Sequence, residues 1–340
     1  MLFGVAGVGG FARQADKWFF PLAVRAEQGI TMKHFVVAAA FALTLPACSP
    51  APPASDIAQS NVLELAVEGM TFVGPDTIKS GWTTVRVVNA GGMTHHALVY
   101  RLPEGVTAEM VDEQVVRPIQ ASLTAAINGE MEKAADIAAS MPAWVGELTW
   151  LGGPGMMSDG VTGEATMYLE PGNYLVECYV KTKGIQHNFN PVAGEFGMVF
   201  PLTVVAEPGG MAEPDANVTL AISNDGYEIT EGGFVAGSNS VRVNFKEQRL
   251  YNNFVGHDAH VFRVEEETDV DAAARWPDFF PIDGQQTPAP ARFVGGIHDM
   301  PQGSTGYFRL DLEPGTYAIT AEIPDAKAQG FFKQFSVKAP

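Results

Sequence analysis

The sequence predicts an all-β protein made of two tandem Greek-key β-sandwich modules, with a helical insertion in the first. Three observations predict it. A phrase in the middle of the chain, Leu169-Glu-Pro-Gly-Asn-Tyr174, returns near the end as Leu312-Glu-Pro-Gly-Thr-Tyr317. Two further anchors recur in the same order. The first pairs His95-His-Ala-Leu-Val-Tyr-Arg-Leu102 with His257-Asp-Ala-His-Val-Phe-Arg-Val264. The second pairs Leu151-Gly-Gly-Pro154 with Val294-Gly-Gly-Ile297. The glycine turn and the repeated phrase are 18 residues apart in both copies, which marks a duplication. Finally, 36 Gly and 23 Pro separate short runs rich in β-branched residues, the punctuation of strands and turns rather than of long helices.

The elements follow in chain order. Lys33 and His34 form a short basic start, and Phe35 to Leu45 is an apolar run too short to span a bilayer as a helix. The run ends in Leu45-Pro46-Ala47-Cys48. This order resembles a bacterial lipoprotein signal, which implies that Cys48 is the lipidated first residue of the mature chain. Residues 49–60 then read as a stiff Pro-rich tether. Met32 is the better signal start, so residues 1–31 are expected to be an upstream extension, and 1–47 to be absent from the mature protein. The first module is placed at 61–206, a linker at 207–215 and the second module at 216–340. Thr83 to Val88 and Ser240 to Phe245 alternate as half-buried strands do. Tyr174 to Val180 and Tyr317 to Ile323 are the strands fed by the Pro-Gly turns. Phe196 to Val205 and Phe331 to Val337 are expected to close the modules. The insertion spans about 107–140, with Thr107 as a cap and Pro118 as an interruption. Its Met110, Met131 and Met141 are expected to pack rather than to bind an ion.

Charge and cysteine usage bound the function. The full chain carries a net charge of −18, and removal of residues 1–47 leaves 17 basic and 37 acidic side chains, a net of −20. Such a surface repels nucleic acid and tolerates cations. There are two cysteines. With Cys48 assigned to lipid, Cys178 has no disulfide partner and is buried, metal-bound or reactive.

The residues after the repeated phrase separate the modules. Cys178, His187 and Met198 follow the first copy. Ala321 and Phe331 stand where Cys178 and Met198 stood, and the two positions are 10 apart in the chain rather than 20. Together with Val88-Asn-Ala-Gly-Gly-Met-Thr-His-His96, these residues make the first module resemble the cupredoxin fold of plastocyanin-like and azurin-like proteins. The second module shares the resemblance in fold only. The resemblance implies a copper ion held by His95, Cys178 and His187, with Met198 as a weak axial ligand. His96 is an alternative to His95, because adjacent strand residues face opposite sides. A thiolate and two imidazoles with a distant thioether are the donors of a blue-copper site. The spacing departs from the family, with eight residues between Cys178 and His187, so the loop is expected to hold its ligands less rigidly. His257 and His260, with Asp258, are expected to be a satisfied strand-end pair rather than a separate weak metal site.

No phosphate-cradling glycine loop, nucleophile elbow or zinc-protease signature occurs. The expected function is therefore non-enzymatic, either electron transfer or copper handling, with a redox or copper-donor protein as partner. The expected location is the periplasmic side of a membrane, the outer membrane in particular, through the lipid anchor. The alternative is a metal-free binding or scaffolding lipoprotein with two interaction modules.

Overall fold

A computed structural model describes residues 61–339. Cys48, the signal and the tether lie outside the described residues. Two β-sandwiches follow one another along the chain. In the first, strands Thr71–Val73, Val62–Glu68, Thr77–Asn89 and Thr162–Leu169 form one sheet. Strands Val199–Pro208, Gly172–Glu177, Leu98–Arg101 and Thr149–Trp150 form the facing one. The strand Thr77–Asn89 belongs to both. Thr77 to Ser80 pair with Val199–Pro208, whereas Gly81 to Val88 pair with Thr162–Leu169. The change of sheet falls at Gly81, whose φ of 107° is open to glycine at little steric cost.

The second module repeats this plan. Gly226–Gly232, Val218–Ser223, Gly237–Phe245 and Thr305–Leu312 face Arg292–Ile297, Ala259–Val264, Gly315–Thr320 and Phe332–Val337. Strand Val62–Glu68 shows the expected alternation, with Leu63, Leu65 and Val67 turned into the core.

The modules are joined edge to edge about a local pseudo-two-fold axis. Thr162–Leu169 pairs antiparallel with Thr305–Leu312, and Ala165 faces Phe308, its own counterpart in the repeat. The two glycine turns meet each other as well. Gly155 donates to Gly296 O at 3.0 Å, and the symmetry-related bond runs from His298 N–H to Gly153 O at 3.1 Å. Gly153 and Gly296 are equivalent and equally constrained. A Cβ on either would lie 2.0 Å from a carbonyl oxygen, that of Ala97 or Ala259. Trp82 packs edge-on against both Tyr168 and Tyr307, from either side of the seam.

The insertion is helical, as expected, but Pro118 does not end it. Thr107 caps Ala108–Val111, accepting the Met110 N–H. A π-helical turn, Asp112–Val116, then absorbs the hydrogen bond that proline cannot make. The α-helix continues through Arg117–Ile127, and Met131–Ala139 follows after Gly129. Met110 and Met141 pack against an apolar cluster that includes Leu98, Tyr100, Val111 and Leu175, but Met131 is 62% exposed. A short helix at Val270–Arg275, capped by Asp269, went unanticipated in the second module.

The repeated phrase is a turn closed by its tyrosine. Tyr174 donates to Glu170 O at 2.6 Å, and Tyr317 donates to Glu313 O at 3.0 Å. Each hydroxyl fastens the start of its strand to the backbone four residues upstream, as tyrosine corners do. Tyr174→Phe and Tyr317→Phe should each destabilise the fold by about 1 kcal/mol. Urea unfolding checks this, and unchanged midpoints would leave the turn to Pro-Gly alone.

Candidate metal centre

Three predicted ligands converge at one end of the first sandwich. Cys178 Sγ lies 3.6 Å from His95 Nδ1 and 3.7 Å from His187 Nδ1, and the two nitrogens are 3.2 Å apart. A point equidistant from the three atoms lies about 2.0 Å from each, close to ordinary metal–imidazole and metal–thiolate bond lengths. The donor set and its spacing fit copper. All three side chains are buried.

Each ligand has a local cause. Asn89 ties the preceding turn, donating to Met93 O and Met157 O while accepting the Gly91 N–H. His95 is then bonded both ways to the Met157 backbone. Gly91 lies against the imidazole, where a Cβ would sit 2.9 Å from His95 Nε2. Cys178 follows directly on strand Gly172–Glu177, and its N–H donates to Met198 O at 3.0 Å. His187 donates its N–H to Val180 O and accepts that of Met198. Gly197 is required beside it, since a Cβ there would lie 2.3 Å from His187 O.

The long loop holds its ligands firmly, contrary to the expectation from its length. Lys181–Thr182 and Ile185–Gln186 form a hairpin, turned by Lys183 (φ 52°) and Gly184 (φ 77°). The hairpin is gripped from both sides. From the insertion, Gln120 donates to Gly184 O and accepts the Gln186 N–H. From the second module, Gln285 O accepts the Lys181 N–H, and the Thr287 N–H donates to Lys181 O. Thr182 Oγ1 lies 2.9 Å from His187 Nε2 and 2.7 Å from Thr287 Oγ1. That contact orients the ring with Nδ1 toward Cys178, the role outer-shell partners play at metal sites. None of these residues stood out in the sequence, because polar side chains on a helix and in a distant loop carry no local signal.

Strand alternation separates the two adjacent histidines. His95 joins the cluster, whereas His96 points to the module seam, where its Nε2 accepts the Tyr179 N–H and its ring packs against His298. Met198 is fully buried, its backbone bonded to both Cys178 and His187. In the second module the equivalent place is apolar. The His257 ring lies 4.4 Å from that of Phe331, and Ala321 replaces the thiol. His257 is thus apart from His260 and Asp258, and these two do not form a simple strand-end pair with it. They join His298 and Glu322 in a separate buried group.

Burial sets the protonation of the ligands. It lowers His95 to about 4 and His187 to about 3, and pushes the Cys178 thiol up to about 12. The metal-free fold therefore holds neutral imidazoles and a neutral thiol at pH 7. Its unfolded chain takes up protons on both histidines below about pH 6.5, while the folded chain does so only near pH 4 and below. Folding stability should fall as pH drops from about 6.5 toward 4, by on the order of 3 kcal/mol for each of the two histidines, with no contribution above 6.5. Denaturation of metal-free wild type beside His187→Gln checks this. Equal losses in the two chains would exclude His187 as a source.

No family model matches the chain, and no curated protein matches it. Among solved structures, it is similar to auracyanin from the photosynthetic bacterium Roseiflexus castenholzii. Identity is 19%, with 38% of this chain and 100% of that chain covered, at a TM-score of 0.26. It is also similar to auracyanin A, a "blue" copper protein from Chloroflexus aurantiacus, at 18% identity over 42% and 98%, with a TM-score of 0.25. A blue copper oxidase from Nitrosomonas europaea matches at 14% identity over 82% and 86%, with a TM-score of 0.22. Likenesses this distant carry no weight for the site. Its own strand order makes the first module a two-sheet β-sandwich, with His95, Cys178 and His187 clustered at one end.

Proposed function

We propose that the protein binds one copper ion through His95, Cys178 and His187 in the first module and serves in electron transfer or copper handling. The observation that carries this reading is the triangle of Sγ and two Nδ1 atoms with edges of 3.6, 3.7 and 3.2 Å. Met198, bonded along the backbone to both Cys178 and His187, would add a thioether to the donor set. Copper held by a thiolate and two imidazoles supplies one-electron chemistry between Cu(I) and Cu(II). The chain's own residues keep water from the cluster by burial and hold His187 in place through Thr182 and Thr287.

The proposed setting is the periplasmic side of a membrane, outer membrane in particular, with Cys48 as lipid anchor and a redox or copper-donor protein as partner. The signal-like run before Cys48 supports this. No helix among the described residues is long and apolar enough to cross a membrane. The acidic surface, with a net charge of −18 for the full chain, suits a cationic partner face and not nucleic acid.

Adding Cu(II) to the purified full chain should produce intense visible absorbance from thiolate-to-copper charge transfer. Cys178→Ala should abolish it. Because the thiol is protonated and both imidazoles are neutral at pH 7, uptake should release one proton, read by calorimetry in buffers of different ionisation enthalpy. Failure to take up copper by both absorbance and calorimetry would leave the metal-free scaffolding lipoprotein as the reading.

A further inference from the structure

On the seam between the modules, behind the Cys178 cluster, a second group of chemistry-bearing side chains is buried. Asp258, His260, His298 and Glu322 are at most 1% exposed. One donor atom from each lies within 4.8 Å of all the others. Alternation places them there. Cys178 turns into its own sandwich, so Tyr179 turns to the seam, and Glu322, the counterpart of Tyr179 in the repeat, meets it across the pseudo-two-fold axis.

The hydrogen bonds around this group leave particular atoms unused. Glu322 Oε2 accepts from the Tyr179 hydroxyl at 2.7 Å, and Asp258 Oδ1 accepts the Glu322 N–H at 3.0 Å. His260 Nδ1 accepts the Met156 N–H at 3.1 Å, which leaves no room for a proton there. The ring proton therefore sits on Nε2 and is donated to Asp258 Oδ2 at 2.9 Å. Glu322 Oε1 is 3.1 Å from the same nitrogen, but the one N–H is already directed at Asp258, and Oε1 has no hydrogen-bond partner. His298 has no partner at either ring nitrogen, and its Nδ1 lies 3.8 Å from Glu322 Oε1. Two carboxylates and an unpartnered imidazole thus face one another in the dry interior. Buried carboxylates persist when they are paired with cations or coordinate a metal.

We propose that Asp258 Oδ2, Glu322 Oε1 and His298 bind a divalent transition-metal ion of the zinc type, a site separate from the copper cluster. His260 and Tyr179 are its positioning residues, holding Asp258 and Glu322 through their N–H and O–H. The ion's two positive charges offset the two carboxylates. Oxygen and imidazole donors select zinc-like divalent ions over soft Cu(I), which the thiolate cluster suits. The proposal does not depend on copper binding, since the two sites share no ligand.

Cys178→Ala separates them. The full chain carrying that substitution, stripped of metal, should bind one equivalent of Co(II), with ligand-field bands but no thiolate charge transfer, and Zn(II) should displace it. Adding Glu322→Gln or His298→Gln should weaken Co(II) binding more than about 100-fold. Tyr179→Phe, which keeps the ring, should weaken it by about 10- to 100-fold, the usual cost of an outer-shell partner. If the Cys178→Ala chain shows native circular dichroism yet takes up neither ion, the group is a buried hydrogen-bond network and the proposal is overturned. Undiminished Co(II) binding in a folded Glu322→Gln, His298→Gln chain overturns it too. Crystals of the unsubstituted chain grown with Zn(II) give an answer that needs no variant. An anomalous peak between Glu322 and His298 is expected, and its absence from ordered density there overturns the site.

Discussion

The seam between the two modules is the constraint on which the remaining structure depends. Its glycine turns exchange backbone hydrogen bonds in symmetry-related pairs, Gly155 to Gly296 and His298 to Gly153. Such closeness leaves no space for a Cβ at Gly155, which would lie 2.7 Å from His260 Nδ1. The turns also bond within their own modules, since Ala97 donates to Pro154 O and Val99 to Gly152 O. The segment carrying His95 and His96 is thus fixed between its own sandwich and the partner module. The second module, which has Ala321 and Phe331 at the places of Cys178 and Met198, has a structural task, because its segment from Phe279 to Thr287 buttresses the loop that brings His187 to Cys178.

Strand alternation then distributes chemistry to two sides of the same backbone. His95 and Cys178 turn inward, toward a cluster with soft sulfur and two imidazoles. Their neighbours His96 and Tyr179 turn to the seam, toward Glu322 and His298. The duplication doubles the effect on the seam side, where counterparts meet. Tyr179 and Glu322 hold equivalent positions in the repeat and are hydrogen-bonded to each other. An unpartnered polar atom in such an interior costs about 1–3 kcal/mol, and several gather here within one small volume. Against a typical total stability of about 5–15 kcal/mol, that is a large burden unless the atoms have a use.

The ligand loop shows how length and rigidity part company. Loop closure penalises length only weakly. Rigidity comes from what the loop touches. Between Cys178 and His187 the chain builds its own hairpin, and Gln120 on the insertion binds it at Gly184 and Gln186. The insertion therefore serves the site, and the π-turn before Pro118 lets its helix run on to carry Gln120 there.

The sequence by itself made the duplication and most of the strands legible, and a resemblance pointed to the residues of the cluster. Leu-Glu-Pro-Gly-x-Tyr is a local signal because its turn and its tyrosine-to-carbonyl bond lie within six residues. Cys178, His187 and the Asn89 turn were legible through that resemblance, as residue types just past a strand or in the loop that follows it. Only the tertiary structure decided between His95 and His96, because facing depends on the register with Met157. It alone joined Gln120, Thr287 and His187, residues far apart in the chain whose polar side chains have no periodicity to betray them. It alone set Asp258, His298 and Glu322 together, since that meeting is a product of packing across the pseudo-two-fold seam.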